Sequence, residues 1–253
     1  MEKLRKEYLC FIFLALFACT EDGSDFSPDV SNPGGTGTAG SFASFVVVGD
    51  HLYALNGRQV KTFMLSDNGE MTLTDELNLY ATLETVFPYG DMLLVGSQEG
   101  VFFLDRTNPS ELTRLSVYRH ITSCDPVVAS GTIAYSTLRS TRCRFGNVDQ
   151  LDVIDFSDIE NPTVLKSYNA VEPLGLGLRG QFLFLCENGG LSMYDTAEPT
   201  NLIKLDELMF EGAIAIDVIP TSQFLIVTTN RGIYNVQFSD TGDMRVIGQV
   251  TAN

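Results

Sequence analysis

Hydrophobic and polar residues alternate along most of this chain in short runs, and most runs end in turns rich in Gly, Asp, Asn or Ser. A two-residue period predicts β-strands, because successive side chains of a strand point to opposite faces of a sheet. No stretch shows the 3.6-residue period of a long amphipathic helix. The pattern therefore predicts an all-β protein.

One of these runs recurs five times, and each copy is a strand followed by a polar turn. The copies are 60–67, 101–109, 151–162, 191–199 and 233–240, and their first residues are 41, 50, 40 and 42 positions apart. A second apolar strand precedes each copy, and its anchors are 41, 40, 49 and 42 positions apart: Leu52, Leu93, Ile133, Phe182 and Phe224. The two series agree, so the chain carries five units, and the long interval marks an insertion in the third.

Each unit contains four strand candidates, which in the first unit are 45–48, 51–55, 60–65 and 72–79. Four antiparallel strands at a period near 42 residues predict a β-propeller of five four-stranded blades over residues 41–253. One blade cannot bury both faces of its sheet, whereas blades packed around an axis can. The first unit opens with its innermost strand and the last closes with its outermost, so we expect the ring to close without a shared strand. An open β-sandwich or a solenoid is the alternative.

The repeated stretch LDVIDFSDIENP (151–162), with VFFLDRTNP (101–109) and LSMYDTAEP (191–199), resembles the LVIVD repeat. That family consists of extracellular bacterial propeller-like proteins, many of them lipoproteins of unknown function. The resemblance covers the body from about residue 42 and implies an exported propeller, but it implies no activity. The first and fifth copies depart from the motif, because Met64 and Gln237 stand where the other copies have Asp.

The start of the chain has the pattern of a secretory signal over residues 1–18, with basic Lys3, Arg5 and Lys6 before an apolar run at 8–17. The run is too short to span a bilayer. The sequence Leu-Phe-Ala-Cys that ends at Cys19 resembles the lipobox of bacterial lipoproteins, which implies cleavage before Cys19 and a lipid on its thiol. The alternative is an ordinary signal peptide, with Cys19 incidental.

Residues 19–40 are rich in Ser, Gly, Asp, Pro and Thr, which predicts a flexible, lipid-anchored linker. The acidic Glu21, Asp22 and Asp25 are similar to signals that send some Gram-negative lipoproteins to the cell surface, although they equally suit a solvated tether. We therefore expect an outer-membrane lipoprotein that is periplasmic or surface-exposed.

The chain has 16 basic residues against 32 acidic ones. This balance argues against a nucleic-acid partner, since phosphates must be neutralised by cations. It also argues against docking on anionic lipid, so the membrane contact is expected only through the N-terminal lipid.

Three cysteines lie in the exported body. We expect a disulfide between Cys124 and Cys143, which would tie the insertion of the third unit to its inner strand. Cys186, in an apolar strand, is expected to be a buried thiol. Three separate thiols are the alternative. The absence of CxxC spacing and the presence of only two His residues argue against zinc.

Two groups of charged residues are candidate sites. Arg139, Arg142 and Arg144 in the insertion could bind an anionic small ligand, or they could pair with carboxylates of neighbouring blades. An acid precedes or opens the innermost strand in four units, and together these acids could form a ring that binds Ca²⁺ or Mg²⁺: Glu84, Asp125, Glu172 and Glu211. The alternative is that each acid accepts backbone N–H groups at a bend.

The sequence contains no GxSxG, HExxH or phosphate-binding loop. We therefore expect a non-catalytic binding or scaffold module without a cofactor, which contacts an envelope protein or an anionic small ligand through one propeller face. A metal-assisted hydrolase or lyase at the channel mouth, using the four acids, is one alternative. A structural subunit of a surface complex is another, and exposed apolar area beyond what a monomer tolerates would favour it.

Overall fold

The structure is a computed structural model that describes residues 40–120, 126–139 and 149–251. These residues form five antiparallel sheets of four strands each, and in every sheet the strands are ordered as they follow in the chain. The described residues contain no helix, and thus none that is long and apolar enough to cross a membrane. Cys19, Cys124, Asp125, Arg142, Cys143 and Arg144 lie outside the described residues.

Each sheet is one repeat, called a blade here. Blade 1 contains β1 (Phe45–Val48), β2 (His51–Asn56), β3 (Gln59–Leu65) and β4 (Met71–Asn78). Blade 2 contains β5 (Leu83–Tyr89), β6 (Met92–Ser97), β7 (Gly100–Asp105) and β8 (Thr113–Arg119). Blade 3 contains β9 (Val127–Ser130), β10 (Ile133–Arg139), β11 (Asp149–Asp155) and β12 (Thr163–Asn169). Blade 4 contains β13 (Leu176–Arg179), β14 (Phe182–Glu187), β15 (Gly190–Asp195) and β16 (Ile203–Leu208). Blade 5 contains β17 (Ala215–Pro220), β18 (Leu225–Thr229), β19 (Gly232–Phe238) and β20 (Met244–Thr251).

The first strands of successive blades contact each other in chain order, from β1 through β5, β9 and β13 to β17. Clusters of buried apolar side chains fill the four junctions between successive blades. At the first junction, for example, Tyr53 and Val60 of blade 1 pack in one cluster with Leu93 and Val95 of blade 2. The predicted architecture of five four-stranded propeller blades is confirmed.

The outermost strand of every blade carries a β-bulge at the equivalent place. A bulge bends and twists a strand, and here it helps two carboxylates reach the next blade. Asp75 Oδ2 accepts the N–H of Leu112 at 3.0 Å, and Asp206 Oδ2 accepts the N–H of Met244 at 2.6 Å. These bonds tie blade 1 to blade 2 and blade 4 to blade 5.

The Asp residues of the repeat motif shape the turns that follow the third strands. Each accepts the backbone N–H two residues ahead: Asp105 from Thr107, Asp155 from Ser157, and Asp195 from Ala197. The turns at Ser66–Glu70 and Ser239–Asp243 are likewise closed by bonds between their own side chains and backbone. These Asp, Asn and Ser side chains therefore serve as turn residues.

The junction between blade 5 and blade 1 differs from the other four. Among the described residues, no buried apolar cluster joins these two blades. The expected closure of the ring by apolar packing is therefore not found in this part of the chain, and the five blades form an arc.

Candidate functional site

The side of blade 1 that faces away from blade 2 is left uncovered by the described blades, as the position of Phe45 shows. By strand register, its equivalents are Val86, Val127, Leu176 and Val218, and all four have an exposed fraction of 0%. Phe45 is 62% exposed. The difference arises because each of the other blades has a preceding blade packed against this face.

The side of blade 5 that faces away from blade 4 is uncovered in the same way. Ile233 is 47% exposed, whereas its equivalents in the other blades are 0 to 2% exposed: Val60, Val101, Leu151 and Leu191. Those four residues pack against a following blade. Blade 5 has no such neighbour among the described residues.

Both uncovered faces carry apolar side chains with polar ones among them. The first-blade face includes Phe45, Val47, Leu52, Ala54, Lys61 and Phe63, and the last-blade face includes Ile226, Thr228, Ile233, Asn235 and Val250. Apart from the exposed Phe45, Val47, Ile233 and Val250, these residues are half-buried. A contiguous exposed apolar surface on a folded protein marks a site of interaction.

The segment before β1 makes a polar connection between the ends of the arc. Val86 of blade 2 donates its N–H to Ala43 O at 2.8 Å, and Leu176 of blade 4 donates its N–H to Ser41 Oγ at 2.8 Å. The Ser41 hydroxyl donates in turn to Asp217 Oδ1 of blade 5 at 2.9 Å. Residues 40–43 therefore contact the innermost strands of three blades.

Asp217 anchors this segment. Its carboxylate accepts N–H groups from Phe42 at 3.3 Å and Val218 at 3.0 Å, besides the Ser41 hydroxyl. Space around it is so limited that a Cβ at Gly40 would lie 2.0 Å from Oδ2, and one at Gly175 would lie 2.2 Å from Oδ1. The carboxylate is thus enclosed and occupied by structural bonds.

Burial raises the pKa of Asp217 above its ordinary value, although the bonds from Ser41, Phe42 and Val218 oppose that rise. Burial raises the thiol pKa of Cys186, and the nearby charge of Asp217 raises it further. A buried thiol with a raised pKa is a poor nucleophile. Cys186 is free and buried, as we expected.

The three described members of the acidic ring have separate surroundings. Glu84 Oε1 accepts a bond from Gln98 Nε2 at 3.0 Å, Glu172 Oε1 lies 3.5 Å from Arg139 Nη2, and Glu211 is exposed. Within the described residues, no three side chains of His, Cys, Asp or Glu come together to hold a metal. The ring of four, which includes Asp125, stays a prediction.

Arg139 is the last residue of β10, and its side chain is mostly buried. Its ion pair with Glu172 links blade 3 to the crossover that leads into blade 4. Of the two roles open for the arginines, the described contact of Arg139 fits pairing with a neighbouring carboxylate. Anion binding by the full group, with Arg142 and Arg144, stays a prediction.

Sequence reasoning missed a hydrogen-bonded set of Ser, His and Asp. His51 is buried, its Nε2 lies 2.9 Å from Ser110 Oγ, and its Nδ1 lies 2.6 Å from Asp50 Oδ1. The hydrogen bonds connect Ser to His and His to Asp, as in the catalytic triads of serine hydrolases. However, the Ser110 N–H is donated to Asn108 Oδ1, so this amide is not directed at a developing oxyanion. Ser110 is 59 positions from His51, so no local spacing could reveal the set.

Two buried acids were also missed. Asp152 accepts hydroxyl groups from Tyr118 of blade 2 and Ser167 of its own blade. Glu187 accepts the Tyr194 hydroxyl, and burial together with this carboxylate raises the pKa of Tyr194. Asp152 is equivalent to Lys61, Phe102, Ser192 and Tyr234 in the other blades, so this position has no common character in the repeat that could reveal it.

No protein-family model matches the sequence, and no curated protein does. Solved structures do match. A protein from Lactobacillus plantarum is 16% identical with a TM-score of 0.66, over 80% of this chain and 68% of that one. The periplasmic gluconolactonase PpgL of Pseudomonas aeruginosa is 15% identical with a TM-score of 0.64, over the same shares. A functionally unknown protein from Desulfotomaculum acetoxidans is 8% identical with a TM-score of 0.69, over 83% of this chain and 70% of that one.

At these identities the likeness shows the fold alone. Together with the five four-stranded sheets, it places this chain among the β-propeller proteins.

Proposed function

We propose that this protein is a non-catalytic binding or scaffold module that holds an envelope protein through the uncovered faces of blades 1 and 5. The observation that carries the proposal is the exposure of Phe45 and Ile233, at positions that the rest of the repeat buries. A surface of this kind suits a subunit of a larger assembly.

The proposed location is the outer membrane, on its periplasmic or external side, with the chain anchored by a lipid on Cys19. The signal over residues 1–18 and the lipobox resemblance support this location. The net charge of −16 supports a body that does not lie on anionic lipid. Incorporation of labelled palmitate that is lost in Cys19→Ser would support the anchor, and incorporation that persists would contradict it.

The contacts of the described acids favour binding over metal-assisted hydrolysis. Asp152, Glu187 and Asp217 are buried and occupied by structural hydrogen bonds. Glu84 and Glu172 contact different partners. The likeness to a gluconolactonase, at 15% identity, supports the fold rather than that activity.

Site-specific photo-crosslinking in the producing cells tests the proposal. A benzophenone amino acid placed at Phe45 or at Ile233 should give discrete adducts with another envelope protein. Ile203, exposed on the outermost strand of blade 4, is the matched control and should give none. Absence of adducts at Phe45 and Ile233, or the same adducts at all three positions, would refute a binding role for these faces.

A serine hydrolase is the second candidate function, and the distances among Ser110, His51 and Asp50 favour it. It ranks second because the Ser110 amide is donated within its own turn. A fluorophosphonate probe decides between the roles. Labelling of Ser110 that is lost in His51→Ala would establish a reactive serine, whereas an unlabelled Ser110 would leave the set as a tie between blades 1 and 2.

A further inference from the structure

We propose that residues 40–43, called the strap here, are a releasable latch at the centre of the arc, and that blade 5 moves away from blade 1 when the strap leaves. The inference goes beyond the proposed binding role and does not depend on it, because it concerns a movement within the chain itself.

The strap is what joins the two ends of the arc within the described ranges. Apolar clusters fill the four junctions between successive blades, and none of them joins β1–β4 to β17–β20. In the same part of the chain, no backbone hydrogen bond runs directly between these two sets of strands. The bonds of the strap therefore carry the connection between blade 1 and blade 5.

These bonds differ in kind from the apolar junctions. Ser41 Oγ donates to Asp217 Oδ1 at 2.9 Å, the Phe42 N–H donates to Oδ2 at 3.3 Å, and the Val86 N–H donates to Ala43 O at 2.8 Å. A polar group that leaves its partner can bond to water, so each hydrogen bond adds little net stability, whereas an apolar cluster has no such replacement. The ends of the arc are therefore where the structure opens most easily.

The carboxylate that holds the strap is not required by the fold of a blade. By strand register, the equivalents of Asp217 in the other four blades are uncharged: Ser44, Thr85, Pro126 and Gly175. Asp217 is only 8% exposed, and burial of a carboxylate is unfavourable unless hydrogen bonds satisfy it. Two of its bonds come from the strap, so this acid serves the strap rather than the sheet.

The strap controls the separation of the ends because it continues directly into blade 1. Phe45 opens β1 four residues after Ser41, and four residues span at most about 14 Å even when fully extended. While Ser41 is bonded to Asp217, β1 must stay within that reach of β17. Once the bond is broken, the ends are connected only through the four junctions, and small changes of angle at each of them add up.

Release of the strap has a signature on two other blades. Leu176 of blade 4 donates its N–H to Ser41 Oγ, and Val86 of blade 2 donates its N–H to Ala43 O. Both residues have an exposed fraction of 0%. Because a buried N–H needs an acceptor, water must replace the strap at both amides when the strap leaves.

Hydrogen exchange in the full chain tests whether the strap leaves as a unit. Ser41→Ala removes the acceptor of the Leu176 amide but leaves Ala43 O, the acceptor of the Val86 amide, in place. Both amides should nevertheless exchange faster by about tenfold or more, the change expected when a hydrogen bond to a charged group is lost. Faster exchange at Leu176 alone would show the loss of one local bond and would overturn the proposal.

Ser136→Ala is the matched control for this measurement. Ser136 is also fully buried, but its Oγ donates to Pro126 O within blade 3. Neither the Leu176 amide nor the Val86 amide should exchange faster in this variant. Equal acceleration in Ser136→Ala and Ser41→Ala would show a general loosening of the fold, which would also overturn the latch.

The distance between the ends of the arc tests the movement itself. Ketone-bearing amino acids at the exposed Thr72 of β4 and Gln249 of β20 carry nitroxide labels on blades 1 and 5, so the natural cysteines stay unlabelled. A second pair, at Thr72 and the exposed Thr163 of β12, spans blades 1 and 3. Pulsed electron resonance should find one narrow distance for each pair in the parent chain.

Two variants should release the strap in different ways. Ser41→Ala removes a bond, and Gly40→Ala would place a Cβ 2.0 Å from Asp217 Oδ2. In both, the distance between blades 1 and 5 should broaden towards longer values, while the distance between blades 1 and 3 stays the same. An unchanged distance between blades 1 and 5 in both variants, or equal broadening of both pairs, would overturn the proposal.

Discussion

Truncation of matched apolar side chains tests whether the arc is open in solution. Phe45→Ala is compared with Leu176→Ala, and Ile233→Ala with Leu191→Ala, because each pair occupies one position of the repeat. In the purified chain, the two members of a pair should differ strongly in their cost to the free energy of unfolding.

The magnitudes follow from burial. Leu176 and Leu191 have an exposed fraction of 0%, and truncation of a fully buried leucine costs about 2–5 kcal/mol. Phe45 is 62% exposed, so only about two fifths of its surface leaves water on folding. Since full burial of such a side chain contributes about 1.5–3 kcal/mol, Phe45→Ala should cost about 1 kcal/mol or less. Ile233→Ala, at 47% exposed, should cost only slightly more.

Urea-induced unfolding at equilibrium measures the differences, with the slope of free energy against denaturant unchanged among the variants. If Phe45→Ala and Ile233→Ala each lower the free energy of unfolding as much as their buried counterparts do, blades 1 and 5 pack together in solution, and the argument for an open arc fails. A low cost at both positions with a high cost at both counterparts would support the arc.

Three further predictions concern the centre of the arc. The pKa of Asp217 is raised above 3.8 in the folded state, so the native protein keeps this proton at a pH at which the unfolded chain has lost it. The contribution of this carboxyl group to stability should therefore fall as the pH rises from 3.8 through the raised pKa. Asp217→Asn should lack that step in denaturant titrations across this range, and an identical pH profile in the variant would contradict the assignment. Gly175→Ala should destabilise the protein by about 1–3 kcal/mol, because the new Cβ would lie 2.7 Å from the Asp217 Cα. Gly248→Ala is the control in the same unfolding assay, since its new Cβ would have no atom nearer than 3.9 Å. Cys186 should resist iodoacetamide in the native protein and react on unfolding, and rapid native labelling of its peptide would show that it is not buried.

Strand positions could be predicted from the sequence because the alternation and the turn residues are local. The strands of the first unit were placed within a residue or two of their observed ends. Register was less well determined. The anchors Ile133, Phe182 and Phe224 are one residue out, because strand pairing shows Ala134, Leu183 and Leu225 as the equivalents of Leu52.

The error has a physical cause. β14, Phe182–Glu187, is buried along its whole length and on both faces, so apolar residues occupy successive positions. A run without alternation contains no information about which residue points to which side.

Ring closure and the central anchor could not be predicted for a different reason. The angle between successive blades is set by packing across each junction. The pattern of a single repeat does not show whether these angles add up to a full turn over five blades. Ser41 and Asp217 are 176 positions apart, and they meet only because the blades are arranged around an axis. A separation of 59 positions likewise conceals the set of Ser110 and His51.

The apolar side chains on the two end faces do not stabilise the five-blade arc by themselves. A lysine at Phe45 or a threonine at Val250 would remain in water and leave all four existing junctions intact, because neither residue belongs to their buried clusters. Apolar side chains at these places stabilise only a state in which something covers them, and until then they favour association. The strong negative charge of the chain opposes indiscriminate self-association. We therefore propose that these faces bind a partner protein rather than a second copy of this chain.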